Sequence, residues 1–294
     1  MSDDAIGGLI AAEELPASYR AVVEDHWRPL AAELARRAQH KRPLVVGING
    51  AQGSGKSTLC RFLEELLAEQ GLRAVTLSLD DLYLTRAQRQ DLAATVHPLF
   101  ATRGVPGTHD VALGLDLLDR LARGEPVSLP CFDKAADDRA THCRRTDGAV
   151  DVVLLEGWCL GAVPQQEEAL DRPVDRLERE EDPDGVWRRA VNERLATDYA
   201  ALFSRLDLLV MLRVEGFEAV RANRLLQEQK LARRQPAGTR VMDAAALDRF
   251  LMHYERLTRW MLQEMPARAD ILYLIGADQT PSGPARFRSR ENCS

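Results

Sequence analysis

One short segment, GINGAQGSGKSTL at 47–59, constrains the fold of this chain more than any other. It contains four glycines, followed by a lysine and two hydroxyl residues, and it comes directly after the apolar run 44–46. Residues 50–57 match the pattern G-x-x-x-x-G-K-[ST] at every position, between a predicted strand and a predicted helix. In such a loop the backbone N–H groups converge on phosphate oxygens, and the N terminus of the helix adds partial positive charge. The segment therefore predicts a site for a nucleoside triphosphate.

The positions of this phosphate-binding loop, or P-loop, have separate expected roles. Lys56 is expected to reach the β- and γ-phosphates, and Ser57 to ligate Mg²⁺, so that ATP and Mg²⁺ are the predicted cofactors. A glycine-rich turn with a surface lysine is the alternative, and the complete spacing disfavours it. The predicted nucleotide contacts are Gly50, Ala51, Gln52, Gly53, Ser54, Gly55, Lys56, Ser57 and Thr58.

Strands and helices alternate along the chain. Short apolar runs predict strands at 44–48, 74–79, 150–155, 208–212 and 271–275, while helical spacing predicts helices at 56–70, 110–122, 186–203, 217–235 and 244–265. Thr85 and Gln88 fit a capping box that opens another helix. The pattern predicts an α/β fold of the P-loop NTPase type, a parallel, doubly wound sheet with helices on both faces. In such a fold ligands bind beyond the carboxyl ends of the strands.

The composition narrows the classes of partner. Acidic residues outnumber basic ones, with a formal net charge of −6, which argues against broad binding to nucleic acid. No run approaches the length of a membrane-spanning helix, and the acidic N terminus lacks the pattern of a secretory signal, so we expect a cytoplasmic protein. Five cysteines without a CxxC pair predict neither a disulfide framework nor a zinc site.

The ends of the other strands distinguish classes of P-loop protein. No Asn-Lys-x-Asp run is present, which argues against a guanine-specific switch. The third strand ends in Glu156 followed by glycine, unlike the Asp or Asp-Glu of a typical ATPase. Asp80 and Asp81 follow the second strand, where a carboxylate faces the γ-phosphate and can accept the proton of an attacking hydroxyl. An N-cap or turn is the alternative role for this Asp pair.

Phosphoryl transfer also needs positive charge over the γ-phosphate and exclusion of water. The predicted helix RANRLLQEQKLARRQPAG carries Arg221, Arg224, Lys230, Arg233 and Arg234. It ends in Pro-Ala-Gly, which predicts a hinge of the kind that a closing lid requires. A solvated basic helix face is the alternative.

The long connection between the second and third strands carries two polar groups, RGVPGTHD and PCFDKAADDR. Arginine and lysine beside carboxylates suggest a small, anionic, hydroxylated acceptor, whose carboxylate is held by arginine and whose hydroxyls are held by Asp and His. Structural roles remain open: Thr108 or Asp110 suits the cap of the next helix, and Asp133 and Lys134 suit a mutual pair. The predicted acceptor-binding residues are Asp80, Tyr83, Arg103, His109, Asp110, Lys134 and Arg139.

Six segments, in their order along the chain, resemble the D-glycerate 3-kinase family of plants. They are GINGAQGSGKSTL, LSLDDLYLT, RGVPGTHD, PCFDKAADDR, LLEGWCLG and RLLQEQKLARRQPAG. That family belongs to the P-loop kinases that include phosphoribulokinase, uridine kinase and pantothenate kinase. The resemblance implies transfer from ATP to D-glycerate, giving 3-phosphoglycerate and ADP, with Mg²⁺. It also implies that the second and third strands lie on one side of the P-loop strand.

The resemblance further assigns roles to residues. It implies that Asp80 acts as the base, that Glu156 lies near Mg²⁺ and its water, and that Arg224 and Arg234 contact phosphates; with Lys56 these form the predicted catalytic set. Ser57 and Glu156 form the predicted metal site. The expected division is an N-terminal helical extension at 1–40, a kinase domain at 41–278 and a flexible tail at 279–294. Within the domain, an acceptor-binding insertion is expected at about 97–147 and a lid at about 221–240. The polar segment 165–185 is expected to form an exposed excursion or a mobile loop.

Two alternatives remain open from the sequence. One is a related kinase acting on a nucleoside, pantothenate or a sugar phosphate, and the other is a non-enzymatic regulator that binds ATP as a signal. Under the leading hypothesis, a kinase acting on D-glycerate, the partner is a small-molecule substrate, with no nucleic acid and no membrane. The pattern carries no prediction of oligomeric state.

Overall fold

The strand that leads into the P-loop lies inside the central sheet, with neighbours on both sides. The computed structural model describes residues 2–141, 144–234, 244–283 and 285–287, with the side chains at 2–4, 227–234 and 244 outside that description. In chain order, the strands are β1 (Leu44–Gly50), β2 (Ala74–Ser78), β3 (Ser128–Leu129), β4 (Phe132–Asp133), β5 (Asp138–Arg139), β6 (Arg144–Arg145), β7 (Val152–Gly157), β8 (Leu208–Val214), β9 (Ile271–Ile275) and β10 (Arg286–Phe287).

The main sheet has the order β10-β9-β8-β1-β7-β2. β1 runs parallel to β7 and β8, β2 runs parallel to β7, and β8 runs parallel to β9. The second and third long strands, β2 and β7, therefore lie on one side of the P-loop strand, which confirms the order that the resemblance implied. Since these five strands are parallel, their carboxyl ends share one edge of the sheet, where the ligands of such folds bind.

The helices follow the predicted alternation. They are α1 (Ser2–Ala12), α2 (Tyr19–Val22), α3 (Arg28–Ala38), α4 (Lys56–Ala68), α5 (Arg86–Thr95), α6 (Val111–Ala122), α7 (Arg176–Glu181), α8 (Val186–Ala196), α9 (Asp198–Phe203), α10 (Phe217–Arg234) and α11 (Ala244–Glu264). The predicted capping box opens α5: the Thr85 hydroxyl accepts the Gln88 N–H at 3.2 Å, and the side-chain Oε1 of Gln88 accepts the Thr85 N–H at 2.9 Å. The helix predicted over 186–203 is divided into α8 and α9 at Thr197, which leaves the helical region of backbone angles.

Apolar side chains cover both faces of the sheet, which confirms the doubly wound α/β fold. One core contains β1 residues such as Val46 and Ile48 with the apolar faces of α1, α3 and α4. The other contains Val153 and Leu155 of β7 with apolar residues of α6, α9 and α11. Parallel strands buried on both faces read as continuous apolar runs, which is why these strands were recognisable in the sequence.

The segment 165–185 differs from the prediction of an exposed loop. It contains a 3₁₀ turn, Glu167–Leu170, and the helix α7, and it buries Leu170, Leu177 and the carboxylate of Glu178. The prediction of a loop was wrong because two of the acidic residues are buried with arginine partners: Glu178 pairs with Arg256 of α11, and Asp182 pairs with Arg188 of α8.

Part of the segment after residue 278 also joins the sheet. Arg286 and Phe287 pair antiparallel with Leu272 and Ile271 of β9, so an otherwise parallel sheet gains a short antiparallel edge strand. A flexible tail had been expected here, and the residues from 288 onward lie outside the described part of the chain. Among the described residues, no helix has both the length and the apolar character needed to cross a membrane.

Candidate active site

The loop between β1 and α4 has a backbone that requires glycine. Gly53 and Gly55 have φ angles of 75° and 88°, in the left-handed region that other residues rarely adopt. A Cβ atom at Gly50 would overlap the Ser54 hydroxyl oxygen, so a side chain at this position would collide with Ser54. The ammonium group of Lys56 donates to the carbonyl of Ala51 at 3.2 Å, so the lysine folds back across the loop.

This loop fits a phosphate group. The Ser54 hydroxyl is buried and has no hydrogen-bond partner among the described residues, so its O–H is free to donate to a phosphate oxygen. The glycines leave the concave side of the loop without side chains, and α4 directs its N terminus to the same place. Together these features are those that a polyphosphate chain requires.

A possible cation site lies beside the loop. The Ser57 hydroxyl donates to Oε1 of Glu156 at 3.0 Å, and the Ser78 hydroxyl donates to the same oxygen at 2.9 Å. Within the described ranges, no group of three or more His, Cys, Asp or Glu side chains could hold a metal alone. A hydroxyl with a single carboxylate suits Mg²⁺, which protein sites commonly bind through one or two carboxylates, water and substrate phosphates.

Asp80 lies on a 3₁₀ turn that follows β2 and has charged and polar partners on both carboxylate oxygens. The Tyr83 hydroxyl donates to Oδ1 at 2.9 Å, and the ammonium group of Lys134 donates to Oδ2 at 2.8 Å. Burial alone would raise the pKa of the Asp80 carboxyl, but the charge and hydrogen bond of Lys134, assisted by Lys56 and Tyr83, lower this pKa to about 2. Asp80 is thus ionised at neutral pH.

Tyr83 is fixed by its surroundings rather than by its hydroxyl alone. Its ring stacks on His109, with centroids 4.5 Å apart and planes 22° from parallel, and it meets the ring of Phe132 edge-on. The Arg139 guanidinium donates to the Tyr83 carbonyl at 3.1 Å. The tyrosine can therefore hold its hydroxyl on Asp80 without a change in its own position.

Three residues predicted to contact the acceptor do not line the cleft. His109 is buried behind Tyr83, with Nδ1 at 2.5 Å from the Tyr199 hydroxyl, and its burial lowers its pKa to about 3, so the ring is neutral. Asp110 caps α6 by accepting the Leu113 N–H, and it pairs with Arg139 at 2.8 Å. These residues support Tyr83 from behind, and the capping alternative left open by the sequence is the one that Asp110 adopts.

A small hairpin formed by β4 and β5 brings Lys134 over the cleft. Its backbone is attached to the turn after β2, because the Phe132 N–H donates to Asp81 at 3.0 Å. At the far end of the hairpin turn, Asp137 pairs with Arg103 and also with Arg89. Lys134 pairs with Asp80, whereas Asp133 accepts the N–H groups of Ala135 and Ala136, so the mutual Asp133–Lys134 pair is not the one formed.

These elements enclose one cleft of about 220 Å³ at the carboxyl edge of the sheet. It brings together the P-loop, the turn after β2, the end of β7 and the hairpin, and both cationic and anionic side chains line it. Its lining residues are Gln52, Gly53, Lys56, Ser57, Asp80, Tyr83, Arg103, Lys134, Glu156, Trp158, Arg224, Phe250 and Tyr254.

Three aromatic residues of this cleft were missed in the sequence. Tyr254 and Phe250 lie on α11, and Trp158 follows β7; the Trp158 and Tyr254 rings meet edge-on with centroids 4.8 Å apart. Trp158 could have been found, because it follows the carboxyl end of a predicted strand. The two α11 residues carry no such signal, since only the tertiary position of that helix directs them into the cleft.

The predicted lid is described only in part. Arg224 lines the cleft, and its guanidinium lies 5.8 Å from the ring centroid of Phe250. Arg221 pairs with Asp248 of α11. The side chains of Lys230, Arg233 and Arg234, and the sequence Pro-Ala-Gly at 236–238, lie outside the described residues, so contact between Arg234 and phosphate stays a prediction.

The sequence and fold have relatives among known proteins, although no family model matches the chain. The chain is 34% identical over 226 residues to the uncharacterized kinase mug58 of Schizosaccharomyces pombe, covering 72% of this chain and 79% of the yeast protein. It is 28% identical over 243 residues to the chloroplastic D-glycerate 3-kinase of Arabidopsis thaliana, covering 78% of this chain and 50% of the plant protein. Its fold is similar to that of the D-glycerate 3-kinase from Cryptococcus neoformans var. grubii, with a TM-score of 0.73 and 24% identity over 89% of this chain and 97% of the fungal chain.

Proposed function

Because this chain belongs to the P-loop kinase family of mug58 and the plant D-glycerate 3-kinase, we propose that it transfers the γ-phosphate of ATP to a hydroxyl of D-glycerate. The products are 3-phosphoglycerate and ADP. The observation that carries the proposal is the position of Asp80, which faces the same cleft as the P-loop residues Lys56 and Ser57. A carboxylate in that position serves transfer to a hydroxyl rather than nucleotide binding alone.

The nucleotide side of the cleft supplies binding and charge. The P-loop N–H groups and Lys56 would hold the phosphates, and Ser57 with Glu156 would hold Mg²⁺. When bound, Mg²⁺ neutralises phosphate charge that develops during transfer. Arg224, which lines the same cleft, adds positive charge, and Arg234 is proposed to join it from the lid.

The acceptor side of the cleft supplies a base and two cations. Asp80 accepts the proton of the attacking hydroxyl, while Arg103 and Lys134 bind the carboxylate of the acceptor. Two observations support an anionic acceptor. Both cations line the cleft, and both are associated with the same hairpin, Lys134 as part of it and Arg103 through its ion pair with Asp137. Trp158 and Tyr254 line the same cleft, where their rings would limit the length of the acceptor and exclude water.

The test is release of ADP from MgATP in the presence of a panel of acceptors. The panel contains D-glycerate, L-glycerate, glycerol, uridine, pantothenate and ribulose 5-phosphate, and Lys56→Ala serves as the inactive control. We expect D-glycerate to stimulate ADP release most strongly, with loss of the activity in Lys56→Ala.

Other outcomes assign the protein to the alternatives. Stimulation by a nucleoside, pantothenate or a sugar phosphate, with none by glycerate, identifies a related kinase. ADP release that no acceptor stimulates, together with tight nucleotide binding, identifies a regulator that uses ATP as a signal. A cytoplasmic location is part of the proposal and is tested by cell fractionation.

A further inference from the structure

The base of the proposed reaction is engaged by Lys134 before any acceptor arrives. Oδ2 of Asp80 accepts a hydrogen bond from the ammonium group at 2.8 Å, while Oδ1 accepts the Tyr83 hydroxyl at 2.9 Å. The nearby ammonium group stabilises the ionised carboxylate and so reduces its affinity for a proton. Both Asp80 and Lys134 line the cleft, so the ammonium group engages the carboxylate within the site itself. In this arrangement Asp80 is a weak proton acceptor.

The two partners of Asp80 differ in how firmly they are held. Tyr83 is buried, stacked on His109 and held at its carbonyl by Arg139. Lys134 lies on the turn of the hairpin, and its side chain is 64% exposed. The long lysine side chain can therefore change its partner, whereas the tyrosine keeps its own.

Arg103, the second cation of the acceptor side, is also paired with a carboxylate. Arg103 pairs with Asp137, which lies on the same hairpin turn as Lys134. A carboxylate that enters the cleft between these cations competes with Asp137 for Arg103 and with Asp80 for Lys134. A neutral compound with the same hydroxyl groups has no charge with which to compete for either.

On the basis of the proposed function, we propose that Lys134 determines specificity by making the negative charge of the acceptor a condition for turnover. When a hydroxy acid binds, Lys134 moves from Asp80 to the acceptor carboxylate, and Oδ2 of Asp80 becomes able to take a proton. When a neutral alcohol or water occupies the cleft, Lys134 stays on Asp80.

The chemistry of the step is balanced. The acceptor hydroxyl oxygen forms a bond to the γ-phosphorus, and the bond between that phosphorus and the β,γ-bridging oxygen breaks with its electron pair remaining on ADP. The hydroxyl proton goes to Oδ2 of Asp80. Discrimination against neutral acceptors therefore appears in kcat. A neutral acceptor can bind in the cleft, but Asp80 then remains paired with Lys134 and accepts the hydroxyl proton poorly.

The experiment compares D-glycerate with glycerol in the wild type, in Lys134→Met and in Lys134→Arg. In the wild type, we expect kcat with glycerate to exceed kcat with glycerol by about 100-fold or more, the range that a positioned base contributes. In Lys134→Met we expect the KM for glycerate to rise about 10-fold or more, because a charged partner is lost, while the ratio of the two kcat values falls below about 10. Lys134→Arg, which keeps the charge, should restore a large ratio.

Three results would overturn the inference. In the first, Lys134→Met changes only the KM for glycerate and keeps the wild-type ratio of kcat values, as a residue that merely anchors the acceptor would. In the second, kcat falls equally with both acceptors, as loss of a phosphate contact would cause. In the third, wild-type enzyme turns over glycerol as fast as glycerate.

A second measurement separates this inference from the proposed function. If the wild type does not phosphorylate D-glycerate, the proposed function fails, and the role of Lys134 is judged from acceptor-free ADP release. Water is a neutral acceptor, so we expect acceptor-free ADP release to rise about 10-fold in Lys134→Met if Lys134 restrains Asp80. Release that stays at the wild-type level contradicts the role.

Discussion

Asp80 and Asp81 are adjacent carboxylates with different surroundings. Asp80 lines the cleft and forms an ion pair with Lys134, whereas Asp81 accepts the backbone N–H of Phe132 in the hairpin. Burial raises the pKa of Asp81, while the cations around Asp80 lower the pKa of that group. The sequence supports a carboxylate at this strand end but cannot say which of two neighbours faces the ligand, since that depends on the 3₁₀ turn.

This difference gives a matched pair of variants. We expect Asp80→Asn to lower kcat by about 10²- to 10⁴-fold, because an amide cannot accept the hydroxyl proton, while nucleotide affinity stays nearly unchanged. Asp81→Asn keeps an oxygen for the Phe132 N–H and should retain kcat within a few-fold. The measurements are steady-state kinetics and calorimetric titration with a non-hydrolysable nucleotide. Wild-type turnover by Asp80→Asn refutes its role as the base.

Asp175 is a residue where the fold opposes ionisation. Its burial, together with the charges of Glu178 and Glu255, raises the pKa of its carboxyl to about 6, although the carboxylate caps α7 by accepting the Glu178 N–H at 2.9 Å. A carboxyl whose pKa is higher in the folded state stabilises the fold below its unfolded pKa, and this contribution is lost as pH rises through about 6.

The sign of this effect predicts the behaviour of a variant. Asn is as good a helix cap as Asp and carries no charge. We therefore expect Asp175→Asn to increase the free energy of unfolding by about 1–2 kcal/mol at pH 8, relative to the wild type, and to give no increase at pH 4. Urea denaturation at both pH values measures the difference. A variant that is stabilised equally at both contradicts the ionisation argument.

At the scale of the element, the sequence predicted the strands and the P-loop, which local patterns determine. It did not predict the structures that depend on contacts between distant parts of the chain. The buried strands were recognisable because each is a short apolar run, and the P-loop because its backbone geometry requires glycine at fixed positions. The segment 165–185 was mistaken for a loop because its acidic residues look solvated in isolation. His109 and Arg139 were placed in the cleft because the sequence shows their spacing but not that Tyr83 lies in front of them.

The structure of that segment depends on one buried ion pair with α11. Arg256 holds both oxygens of the Glu178 carboxylate, at 2.6 and 2.7 Å, and donates to the carbonyls of Ala169 and Arg172. Glu178 is fully buried and Arg256 nearly so. Removal of one partner leaves a buried charge without compensation, which is far more costly than the loss of an exposed pair.

We expect Arg256→Met to destabilise the protein by about 3–5 kcal/mol and to make the segment 165–185 sensitive to protease. Arg259→Met is the control, because Arg259 lies on the same helix, pairs with Glu255 and is half exposed; its cost should be below about 1 kcal/mol. Adding Glu178→Gln to Arg256→Met should recover part of the loss. Thermal denaturation and limited proteolysis measure these effects, and equal stability of the two single variants would contradict the role of the buried pair.

At the scale of the whole molecule, the N-terminal helices belong to the same core as the sheet. Leu30 of α3 is fully buried in the cluster that contains the apolar face of α4, and Trp27 meets Tyr273 of β9 with ring centroids 5.2 Å apart. The Thr58 hydroxyl, in the first turn of α4, donates to Glu13 at 3.0 Å. The division at residue 40 therefore marks a change in sequence pattern within one packed unit.

This shared core predicts cooperative unfolding. We expect Leu30→Ala to lower the free energy of unfolding by about 2–5 kcal/mol, the cost of a cavity in a core, in one transition that nucleotide binding shifts as a whole. Arg36→Ala, at an exposed position of the same helix, should cost less than about 0.5 kcal/mol. Fluorescence and circular dichroism during denaturation report this, and two separate transitions would contradict the single unit.

The helix α11 contacts the cleft on one side and the segment 165–185 on the other. Phe250 and Tyr254 line the cleft, while Arg249 and Arg256 hold Glu181 and Glu178 outside it. A displacement of that segment would thus shift two aromatic side chains next to the acceptor, because a helix moves as a rigid rod. A ligand that displaces this segment should therefore lower turnover without competing with either substrate.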